Sequence, residues 1–296
     1  MQNFIEQIDV TPEVVSFSFA NLKGGDVYNR QFNAEKETLF QAASVAKLAF
    51  SFLCAILANK KSHNRNQLDL DAPVVDLVTE INIPKIITLR HLINHVSGFD
   101  NDHGFTGWNA SESLPELAAI IQDVAFSEKL HGHYHYSGMN YCVAQLYLER
   151  FYDRTLNELA SEEIFIPLEM QRSSFSLEPK DGDYVCGYDI NNEKLFGDYL
   201  YYPMLAAGGL WTNPSEMMLL VRNIFDCMEN KNSALTSKPM LQSFMNAKSS
   251  LFTYEGWNLG YCSRLLFNTN LKEAYYVMTN FEKGHEFIQK NFPEFL

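Results

Sequence analysis

The chain has 296 residues, 46% of them hydrophobic and 20% charged, with a net charge of −13 from 23 basic and 36 acidic side chains. That apolar share excludes a disordered, collagen-like or fibrous chain, and the length buries a sizeable core without disulfides or metals. The acidic balance repels polyanions, which counts against nucleic acid and anionic membrane surfaces as partners.

The first twenty residues carry acidic side chains and a proline but no Lys or Arg, unlike the basic start of a signal peptide. The longest nearly uncharged apolar run, Leu48 to Ala58, is far shorter than the roughly 20 residues that span a bilayer. Cys54, Cys142, Cys186, Cys227 and Cys262 are scattered without C-x-x-C spacing, and their odd count reads as reduced, mostly buried thiols. A soluble cytoplasmic protein is expected.

In chain order, two β-prone runs, Val14–Ala20 and Val27–Phe32, flank Lys23-Gly24-Gly25-Asp26 and predict a hairpin. From Ala42 to Lys60 the pattern turns helical and apolar on almost every face, as in a helix buried mid-molecule. Leu68–Ile81 reads as a turn with short helices. Thr88 is placed to cap a helix that stops at Ser97-Gly98. Asp100–Trp108 is a polar loop, and Ser113–Val124 a helix with Pro115 in its first turn. Tyr141–Tyr152 and Leu156–Ile164 are two further helices. Ala206–Thr212 is a small-residue loop before a helix from Pro214 to Met228, capped by Thr212 or Asn213. Tyr261–Phe267 and Glu273–Thr279 are β-prone, and Gly284–Asn291 closes as a helix. No internal repeat or low-complexity linker divides the chain. Strands at both ends around helical middle segments predict an α/β (α+β) fold, with one antiparallel sheet built from the two ends and flanked by helices.

Ser44-Val45-Ala46-Lys47 is the first candidate for chemistry. Residues i and i+3 share a helix face, so the amine lies beside the hydroxyl. Serine is a weak nucleophile until a neighbouring base takes its proton, and a lysine amine can be that base where desolvation disfavours the ammonium form. The bland reading is a capping serine followed by a snorkelling lysine. His131, His133 and His135 alternate as zinc ligands on a strand would, but no fourth ligand is spaced to join them, so polar loop residues are expected. Asp100, Asp102 and His103 read as solvated loop charge, and His91 and His95 as hydrogen-bonded buried histidines. Tyr136 is a sharper candidate beside these, although most of the aromatic residues, 14% of the chain, must fill core.

Together these segments resemble the serine β-lactamase and penicillin-binding-protein-like superfamily, closest to class C β-lactamases and the related esterases, D-aminopeptidases and transesterases. Thr38 to Lys47 is similar to that family's TLFxxASxxK box, and Leu68 to Val74 to its LDLDDPV turn. Ile87 to Gly98 resembles ITLRHLLTHTSG, and Tyr136-Ser137-Gly138 falls where YSN is expected. Ile164 to Met170 resembles IFxPLGM, Ala206 to Leu210 resembles AAGGL, and Val277 to Asn280 suits the last core strand.

The resemblance implies a β-lactamase/transpeptidase-like fold in one catalytic domain over 1–296. Its α/β part would take about 1–67 and 166–296, and its helical part about 68–165. It implies Ser44 as acylated nucleophile, Lys47 as general base and Tyr136 as proton shuttle, with Ser137, Gly138, Tyr254 and Gly256 at the substrate. The Ser44 N–H and a late strand would form an oxyanion hole. No cofactor or metal is implied.

Two departures stand out. Gly138 replaces the amide that orients lysine and substrate. The third motif, H-x-G or K-T-G, falls either at Tyr254-Glu255-Gly256 or nowhere, with Trp257-Asn258-Leu259-Gly260-Tyr261 then forming an earlier strand. A serine-dependent hydrolase or acyl transferase acting on a small ester or amide is expected. The alternatives are a catalytically weak binding protein of this fold and a true β-lactamase or D-peptidase. The sequence leaves the oligomeric state open.

Overall fold

In the computed structural model, the described residues are 8, 15–59, 67–100, 107–180, 182–229, 241 and 249–292. The expected hairpin forms between β1 (Phe17–Lys23) and β2 (Asp26–Phe32). Its two turn residues, Gly24 and Gly25, have φ of 61° and 91°. Positive φ at both central positions matches the right-handed twist of the strands, and glycine adopts it without a Cβ clash. β3 (Phe40–Gln41) leads through a tight turn at Ala43–Val45 into helix α1 (Ala46–Asn59). From Ala46 to Ala58 only Ser51 is not buried, as an all-round apolar pattern requires.

The middle of the chain is helical, and the local signals are realised with shifts at the ends. Thr88 caps α2 (Leu89–Ile93) in a capping box whose returning partner is His91. The helix expected from Ser113 is only α3 (Leu117–Ile120) followed by a short turn at Ile121–Asp123. Pro115 precedes it rather than opening it, because Glu116 stays extended with ψ 146°. α4 (Met139–Tyr152) and α5 (Leu156–Ala160) match the next two predictions, the latter running into a wider turn at Ser161–Phe165. β4 is Ser174–Phe175.

Ala206–Thr212 departs from the expected loop: it forms α6 (Leu205–Gly208) and β5 (Leu210–Thr212). Its small residues pack at contact distance between α1 and α4 instead of lying on the surface, so they remain buried. α7 (Pro214–Met228) is capped by Asn213, whose side chain accepts from Glu216 N–H. The chain then returns through β6 (Leu251–Asn258), β7 (Tyr261–Asn268), β8 (Glu273–Thr279) and α8 (Gly284–Asn291).

The main sheet is antiparallel throughout, in the order β2-β1-β8-β7-β6, so the two chain ends interleave as expected. β1, β7 and β8 are buried and carry the centre of the core, whereas β6 is an edge strand. Leu259 and Gly260 form the turn between β6 and β7. Trp257–Tyr261 is therefore not one strand, and Tyr254-Glu255-Gly256 lies within β6 itself.

Candidate active site

The Ser44 segment is clamped from three sides. Ala43, one residue before the serine, has φ of 49°, a region costly for any residue with a Cβ. It is held there because Ala42 N–H donates to Leu210 O at 2.8 Å, and Ser263 Oγ donates to Ala42 O at 2.8 Å. β6 closes the third side. A Cβ at Gly256 would collide with Ala42 O and Ser263 Oγ, so only glycine lets the edge strand lie this close to the serine turn.

Lys47, one helical turn on, is buried. Its Nζ donates to Ser44 Oγ at 3.0 Å and to Ala207 O at 2.5 Å. The rings of Tyr136 and Tyr141 lie 5.4 and 5.5 Å from the same nitrogen. The Ala207 carbonyl is aimed by α6, which Gln145 anchors by accepting from Ala206 N–H at 3.0 Å. The Tyr136 hydroxyl is 2.8 Å from Ser44 Oγ. Ser44, Lys47 and Tyr136 are thus brought into one hydrogen-bonded group, with the hydroxyl of Ser44 at its centre.

His95 supports Tyr136 from behind. It has φ of 54°, is buried, and its ring lies 4.7 Å from the Tyr136 ring at an interplanar angle of 30°. Nδ1 accepts from Ser137 N–H at 3.2 Å and faces Asn140 Nδ2 at 3.2 Å, which leaves Nε2 to carry the ring's proton. Asn140 in turn accepts from Ser97 Oγ at 2.5 Å. Burial, then the electrostatic effects of Lys47 and His135, push the His95 pKa down to about 3, so the ring is neutral at ordinary pH. His95 was expected only as a buried histidine. Its place beneath the phenol depends on a turn that sequence spacing does not encode.

The other expected site residues divide. Tyr254 lines the cleft, its ring nearly parallel to Phe267, and burial pushes its pKa up to about 12. Ser137 does not line the cleft: it is buried and acts through its backbone N–H on His95. Gly138 begins α4, and Gly256 faces Ala42 and Ala43, so both shape the backbone rather than offer a surface. The Asn140 amide does not substitute for one at position 138, being tied to His95 and Ser97. His91 serves the Thr88 cap, His131 bonds Ser97 O, and His135 lies 3.8 Å from Asp100. Asp102 and His103 lie outside the described residues.

The cleft above this group has a volume of about 920 Å³. Ile93, Tyr134, Leu251, Phe252 and Tyr254 give it an apolar and phenolic wall, and Glu255 is its only carboxylate among the described lining residues.

A family model described as beta-lactamase matches residues 1–286. The chain belongs to the beta-lactamase family. No curated protein is matched significantly. Among solved structures, a D-amino acid amidase from Ochrobactrum anthropi SV3, complexed with D-phenylalanine, is similar at TM-score 0.78 and 16% identity over 99% of this chain and 98% of that one. A penicillin binding protein from Bacillus halodurans is similar at TM-score 0.75 and 17% identity over 92% and 94% of the two chains. An octameric penicillin-binding protein homologue from Pyrococcus abyssi reaches TM-score 0.72 at 20% identity over 94% and 72%. At these identities the beta-lactamase-family likeness is one of fold.

Proposed function

We propose that this beta-lactamase-family protein is a serine hydrolase or acyl transferase that forms an acyl-enzyme on Ser44 from a small ester or amide. The observation that carries the reading is the convergence on Ser44 Oγ of the Lys47 amine at 3.0 Å and the Tyr136 hydroxyl at 2.8 Å. Ser44 Oγ attacks the acyl carbon while its proton passes to Lys47, and the new Oγ–C bond makes a tetrahedral oxyanion. By the alternation of an antiparallel ladder closed at the Asn258/Tyr261 pair, the Trp257 N–H turns away from β7. With the Ser44 N–H it provides two donors for that oxyanion. Tyr136 gives a proton to the leaving oxygen or nitrogen as its bond to carbon breaks, then takes one back from the water or alcohol that attacks the acyl carbon, while Lys47 returns its proton to Ser44 Oγ as the acyl–Oγ bond breaks.

Two features favour esters. Position 138 offers no amide to orient a substrate amide, and the cleft offers no unpaired cation, among its described residues, to draw in a carboxylate. An ester needs less help for its leaving group than an amide does. The amidase among the structural neighbours makes D-amino acid amides the amide substrates to assay beside p-nitrophenyl esters. The five cysteines, none in a disulfide, support work in a reducing, cytoplasmic compartment. No helix among the described residues is long and apolar enough to cross a membrane. We treat 1–296 as a single catalytic unit.

The test is kcat/KM for a p-nitrophenyl ester against a chromogenic cephalosporin on one preparation. The reading expects the ester to be preferred. A cephalosporin preferred by tenfold, about 1.4 kcal/mol of transition-state binding, would make the protein a lactamase instead.

A further inference from the structure

Two consecutive carbonyls end helix α6, where the last C=O groups have no partner within the helix. The first, Ala207 O, receives the Lys47 amine at 2.5 Å. The second, Gly208 O, receives Asn258 Nδ2 at 3.2 Å, and the same nitrogen donates to Gln41 Oε1 at 3.1 Å. Gln41 Nε2 in turn donates to Leu200 O at 2.8 Å. Both amides are buried. Their orientation is fixed by chemistry. Leu200 O can only accept, so Gln41 presents its oxygen to Asn258. Gly208 O also can only accept, so Asn258 turns its nitrogen to both, and both hydrogens of that nitrogen are used.

Neither amide reaches the reacting atoms, yet this small network joins the three segments that carry them. Gln41 ends β3, three residues before Ser44. Gly208 follows Ala207, whose carbonyl aims the Lys47 amine. Asn258 follows Trp257 on β6, and its ladder pairing with Tyr261 turns the Trp257 N–H away from β7. β6 is the edge of its sheet, with a partner strand on one side. On the other side the Asn258 amide ties the end of the strand to the serine and lysine segments. Gly256, two residues back on the same face, keeps that approach close. Oxyanion donors work when they lie about 3 Å from where the charge develops, and a misplacement of about 1 Å can cost orders of magnitude in rate while the fold persists.

We propose that Asn258 is a positioning residue for acyl transfer: its amide, backed by Gln41, holds the Trp257 N–H in register with the Ser44 N–H and fixes the end of α6 that aims Lys47. The proposal rests on the Ser44 acyl-transfer reading and adds to it the device that aligns the oxyanion donors with the base.

The experiment compares p-nitrophenyl benzoate with O-p-nitrophenyl thionobenzoate, which differ only in the atom that becomes the anion. Sulfur is larger than oxygen and a weaker acceptor, so donors set for an oxyanion favour the oxygen ester. The quantity read is the ratio of kcat/KM for the oxygen ester to that for the thiono ester, well below each protein's Tm. Wild type should favour the oxygen ester. Asn258→Asp keeps the shape and loses both donors, and should lower the ratio at least fivefold. Gln41→Leu leaves the Gly208 bond in place and should lower it at least threefold. Tyr136→Phe is the control: it slows both esters through their shared leaving group and should keep the ratio within twofold of wild type. A smaller fall in Asn258→Asp, a wild type without preference for the oxygen ester, or an equal fall in Tyr136→Phe overturns the positioning role while leaving the serine reading intact. Should Asn258→Asp not fold, Gln41→Leu decides at its threefold mark. A wild type that turns over neither ester overturns the serine reading, and the positioning role with it.

Discussion

The imidazole of His95 lies nearly flat against the phenol of Tyr136, ring centres 4.7 Å apart, while the phenol's hydroxyl meets Ser44 Oγ at 2.8 Å. The tyrosine is exposed on its cleft side, so this stack and its place just before α4 are what hold the hydroxyl over the serine. His95→Ala removes the stacking surface and the acceptor of Ser137 N–H, and leaves the Asn140 amide only the Ser137 carbonyl. Leaving buried donors unmet costs about 1–3 kcal/mol. We expect kcat on a p-nitrophenyl ester to fall by one to two orders of magnitude, with Tm lowered, by stopped-flow and differential scanning calorimetry.

His95 also sets an acid limit on stability. Its pKa is about 3 in the folded chain against about 6.5 for a free histidine. Between those values the unfolded chain binds a proton that the folded chain does not. The sign is therefore fixed: its contribution is complete above roughly pH 6.5 and is lost as the pH falls towards 3. Urea midpoints measured from pH 7 down to 4 should drop for wild type. A His95→Leu variant should drop less steeply over the same range; an equal slope would remove His95 as the cause.

Tyr136→Phe tests the hydroxyl apart from the ring. The stack on His95 survives, so the melting temperature should stay near wild type. Loss of proton transfer to the leaving group should lower kcat by about 10²- to 10⁴-fold. The deficit should shrink for esters with more acidic leaving groups, which need less protonation.

Gly256→Ala tests how closely β6 must approach the serine turn. The added methyl meets Ala42 O, Ser263 Oγ and the Ala43 side chain, none of which is a flexible chain end. Overpacking of this kind costs about 1–3 kcal/mol. The strand must shift, and the Trp257 N–H moves with it. Activity should therefore fall by more than the lost stability explains, read as kcat at a temperature well below the variant's own Tm.

Much of this arrangement was legible in the sequence because it is local. Gly24-Gly25 between β-prone runs, Thr88 ahead of a helix, and Ser44 three residues before Lys47 each carry their geometry within a few positions. What was not legible arises from contacts between distant segments. The Ala207 carbonyl that receives the Lys47 amine is backbone and has no residue signature. β6 escaped detection because Leu251–Asn258 mixes a glutamate, a glycine and an exposed tryptophan on an edge strand, where burial does not enforce a clean pattern. Ser137 was expected to face substrate, but it points its backbone at His95 because the turn at Ser137-Gly138 starts α4 there. The contact of Asn258 with Gln41 and Gly208 depends on hairpin register, which turns on the two residues Leu259 and Gly260.

The central claim is a covalent acyl-enzyme on Ser44, and peptide mass mapping after treatment with a fluorophosphonate probe tests it most directly. The account predicts one adduct, on the peptide containing Ser44, with labelling and esterase activity both abolished in Ser44→Ala while the Tm is retained. An adduct on a different residue, or a Ser44→Ala protein that keeps wild-type turnover, would contradict it.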